Sequence, residues 1–249
     1  MLNLAEEFII LGAGRTGSTC LVEMLDSHEQ IVCLPEILEK GFIKNKDVWE
    51  KRFDGLNITD SKAANYYIIR DYCKKNKKIF GFKFLQQNEK LVRESKEFDY
   101  ENILYKNKNI RKIIITRNLL ETYISDRTGI ETNKWAYEDT SQVKIHFKYD
   151  GYVKYCYDKM KYYQDLLLTL SNTNQIPLII SYSNIVNKTC FKNISKFLCL
   201  SIEPDTLSCK ATKQNSHLLH DRVINYEQMI KLCEENEDPF YREYKNRSL

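Results

Sequence analysis

The sequence predicts an α/β fold, a three-layer αβα arrangement around a central, mostly parallel sheet. Three observations carry that prediction. Five short β-rich runs recur with helix-period segments between them, the alternation that parallel strands joined by crossover helices require. The first run ends in a glycine turn that opens directly into a helical pattern. The chain, 249 residues with 43% hydrophobic and 29% charged side chains, has globular composition and the length to bury a core. Neither Pro nor Gly gathers into a linker, so residues 1–249 are expected to form one domain.

The runs are, in order, EFIILG, EQIVCL, KIFGFKFL, RKIIIT and IPLIIS. In the third, alternation puts Phe80, Phe82 and Phe84 on one face and Ile79, Gly81, Lys83 and Leu85 on the other. A short helix is expected over 18–26, after Gly17, and a second from 117 to about 128, after RKIIIT. Residues 41–78 are polar, Lys- and Asn-rich and weakly periodic. Val48, Trp49, Phe53 and Tyr66 to Ile69 are their apolar anchors, which reads as helical pieces covering one end of the sheet. The longest helix is expected over about 150–171, where Tyr152, Cys156, Met160, Tyr163, Leu167 and Leu170 recur at spacings of three and four. Such a stripe packs against a sheet rather than stacking on bases. Further helices are expected over about 184–198 and 225–235.

The formal net charge of +4 comes from 38 basic and 34 acidic residues of mixed placement, and the densest basic run, KKNKK at 74–78, reads as a solvated face. Nucleic acid is therefore not an expected partner. Eight cysteines, at 20, 33, 73, 156, 190, 199, 209 and 233, form no CxxC pair, and no histidine stands at metal-ligand spacing from them. The sequence thus points away from a metal site and toward reduced core thiols, Cys156 and Cys199 lying in apolar helical patterns. The opening MLNLAEEF is acidic and enters a strand directly, unlike a signal peptide, and no apolar run approaches a membrane span. A cytoplasmic protein is expected.

The glycine turn carries the chemistry. In FIILGAGRTGSTCLVEML, residues 8–25, Gly12, Gly14 and Gly17 spell GxGxxG, and Gly12 to Thr19 spell a Walker A loop with Ser18 in place of the lysine. Strand, glycine turn and helix start together make an anion site, because unclaimed N–H groups and the helix dipole face outward. The neighbours must choose the anion. A dinucleotide reading gains from Glu36, 19 residues after Gly17, where a ribose-binding acid belongs. It loses from Arg15, Thr16, Ser18 and Thr19, which crowd a turn that dinucleotide folds keep small. An NTPase reading lacks the loop lysine and an acidic magnesium ligand, since RKIIITRN ends in Thr-Arg. That strand instead delivers Arg117, with Ser125 eight residues on and roughly on the same helical face, a pair able to clamp a second phosphate.

Taken together, FIILGAGRTGSTCLVEMLDSHEQIVCLPEIL and RKIIITRNLLETYIS resemble the sulfotransferase superfamily, in its small bacterial and tyrosylprotein-like branch with an RxGST loop and a glutamate base. The C-terminal KATKQNSHLLHDRVINYEQM is similar to that of small bacterial members, and the resemblance covers most of the chain. It implies a P-loop-like sulfotransferase fold and the donor 3′-phosphoadenosine 5′-phosphosulfate (PAPS), released as 3′-phosphoadenosine 5′-phosphate (PAP), with no metal. By the same resemblance Arg15, Thr16, Gly17, Ser18 and Thr19 hold the 5′-phosphosulfate, and Arg117 and Ser125 the 3′-phosphate. Glu36, set off its strand by Pro35, is the catalytic base, and Lys83 contacts the transferring sulfonate. Tyr182 matches the tyrosine of a Tyr-Glu pair whose acid is here Ser183, and Lys213, with Lys210 second, belongs to a segment closing over the donor. The implied acceptor is a hydroxyl or amine of a small molecule: a saccharide, a lipid or a secondary metabolite such as an alkaloid toxin. Residues 129–140, with Trp135, and 40–78 are expected to shape its pocket. The oligomeric state is not legible. An NAD(P)-dependent oxidoreductase and a non-catalytic nucleotide-binding module are the alternatives.

Overall fold

The computed structural model describes residues 6–39, 42, 44–54, 56–95, 98–135, 137–211 and 218–247. The chain forms two compact units, Met1–Thr116 with Asp165–Cys209, and Arg117–Gln164 with Lys210–Leu249. The strands are β1 (Glu7–Gly12), β2 (Ile31–Leu34), β3 (Ile79–Leu85), β4 (Ile110–Thr116) and β5 (Leu178–Ser181). The helices are α1 (Ser18–Asp26), α2 (Lys46–Arg52), α3 (Lys62–Lys75), α4 (Gln86–Ser95), α5 (Leu119–Thr132), α6 (Tyr149–Asn172), α7 (Tyr182–Val186), α8 (Phe191–Leu198), α9 (Tyr226–Glu235) and α10 (Pro239–Arg247).

In the first unit all five strands pair in parallel, in the order β2-β3-β1-β4-β5, and helices cover both faces, so the α/β expectation holds. On one face Phe8, Ile10, Ile113 and Ile115 pack with Leu21 and Leu25 of α1 and Phe191 and Ile194 of α8. On the other, Phe80 and Phe82 meet Tyr66 of α3, and Phe84 meets Tyr100 and Tyr105. The alternation expected for β3 is therefore realised. Gly81 is demanded by packing: a Cβ there would lie 2.1 Å from the Phe8 ring. β1 and β4 are neighbours, Gly12 pairing with Ile115, while the chain runs from β1 toward β2 and from β4 toward β5 on the opposite side. Their carboxyl ends thus form the topological switch point at which open α/β sheets bind ligands.

Lys112 of β4 is buried and donates to the Asn107 carbonyl and to Gln175 Oε1. Burial lowers its pKa from 10.5 to about 8, an effect that Glu7 partly offsets. Between those values the unfolded chain binds the extra proton, so this site's contribution to stability rises with pH across that window. Measured against Lys112→Met, the wild-type Tm should gain ground as pH rises from below 8 to about 10.5. A pH-independent difference between the two would contradict the assignment.

In the second unit α5 begins at Asn118, whose Oδ1 accepts from the N–H groups of Leu120 and Glu121 at 3.1 and 3.2 Å. Its Nδ2 donates to Phe240 O at 2.7 Å and to Glu243 Oε2 at 2.9 Å. The helix therefore starts after Arg117, not at it, and runs on to Thr132. Leu120, Tyr123 and Ile124 pack with Tyr152, Met229 and Tyr241. Tyr152 donates to Asp238 Oδ1 at 3.0 Å.

Other expectations need correction. On α6, Met160 and Leu167 are exposed, while Tyr152, Cys156, Tyr162, Leu166 and Leu170 are buried. At about 100° per residue Met160 and Leu167 stand roughly 80° and 60° round the helix from Tyr152, off the packed stripe. Lys159, roughly 20° from Tyr152, takes the nearer place, half-buried and with its ammonium 5.0 Å from the Tyr155 ring centre. The helix expected over 184–198 is two, α7 and α8, separated by a turn in which Lys188 is left-handed at φ 56°. In the 41–78 region Phe53, Tyr66 and Ile69 are buried, and Trp49 stacks on Phe42 at 4.7 Å, but Val48 and Tyr67 face solvent. Lys74, Lys75, Lys77 and Lys78 are exposed. Cys199 is not a core residue; it caps α8 in left-handed conformation at φ 55° and is only partly buried.

Candidate functional site

The loop from Ala13 to Gly17 leaves the carboxyl end of β1 and turns into α1. Two of its residues are left-handed, Arg15 at φ 67° and Gly17 at φ 87°. Arg15 thus adopts a backbone conformation that residues with a Cβ take up infrequently, as Lys188 and Cys199 do in turns elsewhere. Gly17 has no substitute: a Cβ on it would lie 2.6 Å from the Tyr182 ring. The Thr16 hydroxyl is turned inward, donating to Ala13 O at 2.8 Å, so that side chain fastens the loop. Gly17 is the N-cap of α1 and offers no side-chain acceptor, which leaves the first-turn N–H groups available to an external anion.

Lys83 follows from the face logic of β3. It shares the α1 side with Gly81, and its Nζ lies 3.0 Å from Thr19 Oγ1 and 3.0 Å from Glu36 Oε1, with the side chain almost wholly buried. Glu36 arrives from the neighbouring strand. Leu34, the last residue of β2, pairs with Phe82, Pro35 ends the strand, and Glu36 falls beside the lysine one residue further along β3. Loop helix, carboxylate and lysine, three separate sequence signals, thus meet in one contact.

Glu39 was missed. It closes a turn on Glu36, its N–H donating to Glu36 O at 3.0 Å, and it accepts a hydrogen bond from Asn88 Nδ2. Asn88 is buried and in turn takes the Leu85 N–H at 2.5 Å, tying this turn to the end of β3. Burial, then the like charge of Glu36, raises the Glu39 pKa above its ordinary value, against the pull of Lys83, Asn88 and Lys62. The repeat of acid at 36 and 39 was the available signal, and nothing in spacing alone separates it from a solvated turn.

Tyr182 opens α7 and covers Gly17. The helix start is fixed by a capping box between Ser181 and Asn184, and Ser183 Oγ lies 2.9 Å from Ser181 Oγ. An exposed hydroxyl therefore stands where the resemblance would place an acid.

In the second unit Arg117 lies just before the Asn118 cap and reaches Glu121 at 3.8 Å, while Glu121 is also 3.8 Å from Arg247 of α10. Ser125 is buried on α5. Because Arg117 precedes the helix, helical periodicity does not relate it to Ser125 as the sequence reading supposed. Burial, then the charge of Asp126, raises the Tyr155 pKa above its ordinary value, with Arg117 acting in the opposite sense. Trp135 is partly exposed and abuts Gly129, where a Cβ would come within 2.9 Å of its ring. Lys213 lies outside the described residues.

Among the described residues no helix is long and apolar enough to cross a membrane, and no group of three or more His, Cys, Asp or Glu side chains is placed to hold a metal ion. No family model matches the chain, and no curated protein does. Among solved structures the chain is similar to a sulfotransferase domain from the curacin biosynthetic pathway, with 17% identity, a TM-score of 0.49, and coverage of 88% of this chain and 82% of that one.

Proposed function

We propose that the chain is a PAPS-dependent sulfotransferase, residues 1–249 acting as one sulfotransferase domain, which moves the sulfuryl group to a hydroxyl or amine of a small molecule. The observation that carries this reading is the single ammonium of Lys83 touching both Thr19 of the anion loop and Glu36. A transfer enzyme needs an anion cradle, a cation at the reacting group and a base within one small space, and that contact supplies all three. A ribose-binding acid in a dinucleotide site has no comparable use for a lysine pinned against the phosphate loop.

In this reading Arg15 and the groups of Thr16, Gly17, Ser18 and Thr19 hold the 5′-phosphosulfate, with Thr16 contributing through the backbone because its hydroxyl is spent on Ala13. Arg117 and Ser125 hold the 3′-phosphate, Tyr182 steadies the loop, and Lys213 belongs to the segment that closes over the donor. The acceptor heteroatom attacks sulfur in line as the bond from sulfur to the 5′-phosphate oxygen breaks. Its proton passes to Glu36, and the charge left on PAP is met by Arg15 and Lys83. No metal is needed, because fixed cations and N–H groups supply the positive potential. The acceptor is a saccharide, lipid or secondary metabolite, with residues 40–78 and 129–140 shaping its pocket, and the setting is cytoplasmic.

A second reading gains from the same contact, since Lys83 supplies the loop cation that an NTPase would need. A thermal-shift titration with PAP, NADPH and magnesium-ATP separates these classes. PAP is expected to raise Tm in the presence of EDTA. A shift with NADPH alone, or only with magnesium-ATP, would replace the proposal with an oxidoreductase or an NTPase, and no shift with any would favour a non-catalytic module.

A further inference from the structure

Six of the eight cysteines are buried in packing or stand away from another partly exposed thiol, but Cys20 and Cys209 stand together. Cys33, Cys73, Cys156, Cys190 and Cys233 are buried, whereas Cys20, Cys199 and Cys209 are only partly so. Cys199 sits against the Arg111 guanidinium at 3.5 Å. Cys20 is the third residue of α1, and the segment 204–209 is laid along that helix. Ser208 N donates to Ser27 Oγ at 3.1 Å, Cys209 Sγ to Glu23 Oε2 at 3.3 Å, and Lys188 fastens the Pro204 and Leu207 carbonyls at 2.9 and 3.1 Å. Cys209 Sγ thus reaches the carboxylate one helical turn beyond Cys20, which sets the two thiols against the same side of α1. Both are free thiols packed on the edge of the same core.

We propose that Cys20 and Cys209 are a redox pair that closes to a disulfide, clamping segment 204–209 onto the helix that opens from the anion loop. The step is thiol–disulfide exchange with a low-molecular-weight disulfide such as oxidised glutathione. One thiolate attacks it, forming a mixed disulfide and releasing one thiol. The second thiolate then attacks the protein sulfur of that mixed disulfide, forming the Cys20–Cys209 bond and releasing the other thiol. Two protein thiols are oxidised and one small disulfide is reduced to two thiols. Burial pushes the Cys20 thiol up, the Cys209 side chain pulls it back, and Glu23 raises it further, so closure is slow at neutral pH and quickens as pH rises.

The test is incubation of the intact chain with oxidised glutathione, followed by alkylation under denaturing conditions and peptide mass spectrometry. The expected product has lost two hydrogens, carries a cross-linked peptide pair containing Cys20 and Cys209, and leaves six alkylatable cysteines of the eight. Cys209→Ser should stop at a single glutathione adduct, and Cys199→Ser should close as wild type does. Eight alkylatable thiols after prolonged incubation, a stable bis-glutathione adduct, or a bridge from Cys20 to the buried Cys190 would overturn the proposal.

Discussion

Changing Glu36 to Gln is expected to lower turnover by ~10² to 10⁴ while PAP affinity stays within a few-fold of wild type. Gln keeps the size of the side chain and can still accept a hydrogen bond from Lys83 Nζ, which lies 3.0 Å from the carboxylate, but it cannot take the acceptor's proton. The geometry makes the substitution a clean one. Glu36 follows a strand end set by Pro35, and its neighbour Glu39 is held independently by Asn88, so the local turn does not depend on the Glu36 charge. The measurements are PAP release from PAPS with a panel of hydroxyl and amine acceptors, and PAP binding to the same variant. Were Glu36 a ribose ligand, nucleotide affinity would fall first and turnover at saturation would survive.

Arg117→Ala should weaken donor binding by about 1.5–3 kcal/mol, roughly 10- to 150-fold, because in the proposed donor site it removes a charge-assisted hydrogen-bonding group from the 3′-phosphate. Ser125→Ala removes a neutral partner and should cost about 0.5–1.5 kcal/mol. Neither should disturb the chemical step once donor is saturating. The fold ought to tolerate the arginine change, since α5 is capped by Asn118 and Glu121 retains Arg247 as an ion-pair partner. Equilibrium PAP titrations of both variants check the ranking, and unchanged affinity in both would remove this pair from the donor site.

What could be read in advance followed from strong local rules. The five strands were legible because apolar β-rich runs stand between polar segments, and the strict period of two in KIFGFKFL put Lys83 on the face opposite Phe80, Phe82 and Phe84, a face that the structure turns toward α1. The glycine turn was equally plain from Gly12, Gly14 and Gly17 at the end of a strand, and the structure adds that Gly17 needs both its left-handed conformation and room for the Tyr182 ring. Helix ends and faces were less legible. Reading Arg117 as the first helical residue overlooked that Asn118 caps better than any neighbour, and choosing Met160 followed hydrophobicity where the rotation per residue carries it off the buried stripe. The polar helices α4 and α10 gave little apolar period to detect. Glu39 was invisible for a different reason: its environment is made by Asn88, 49 residues away in sequence, and only the packed sheet end brings the two together.

In the proposed enzyme two separate anion sites select a nucleotide phosphorylated at both the 5′ and 3′ positions. Isothermal titration of PAP and of adenosine 5′-phosphate, both in EDTA, measures this directly. PAP should bind with saturable one-to-one stoichiometry and at least roughly tenfold more tightly than adenosine 5′-phosphate, the difference that one charge-assisted phosphate contact provides. Equal affinity for the two nucleotides, or binding of NADPH with none of PAP, would contradict it.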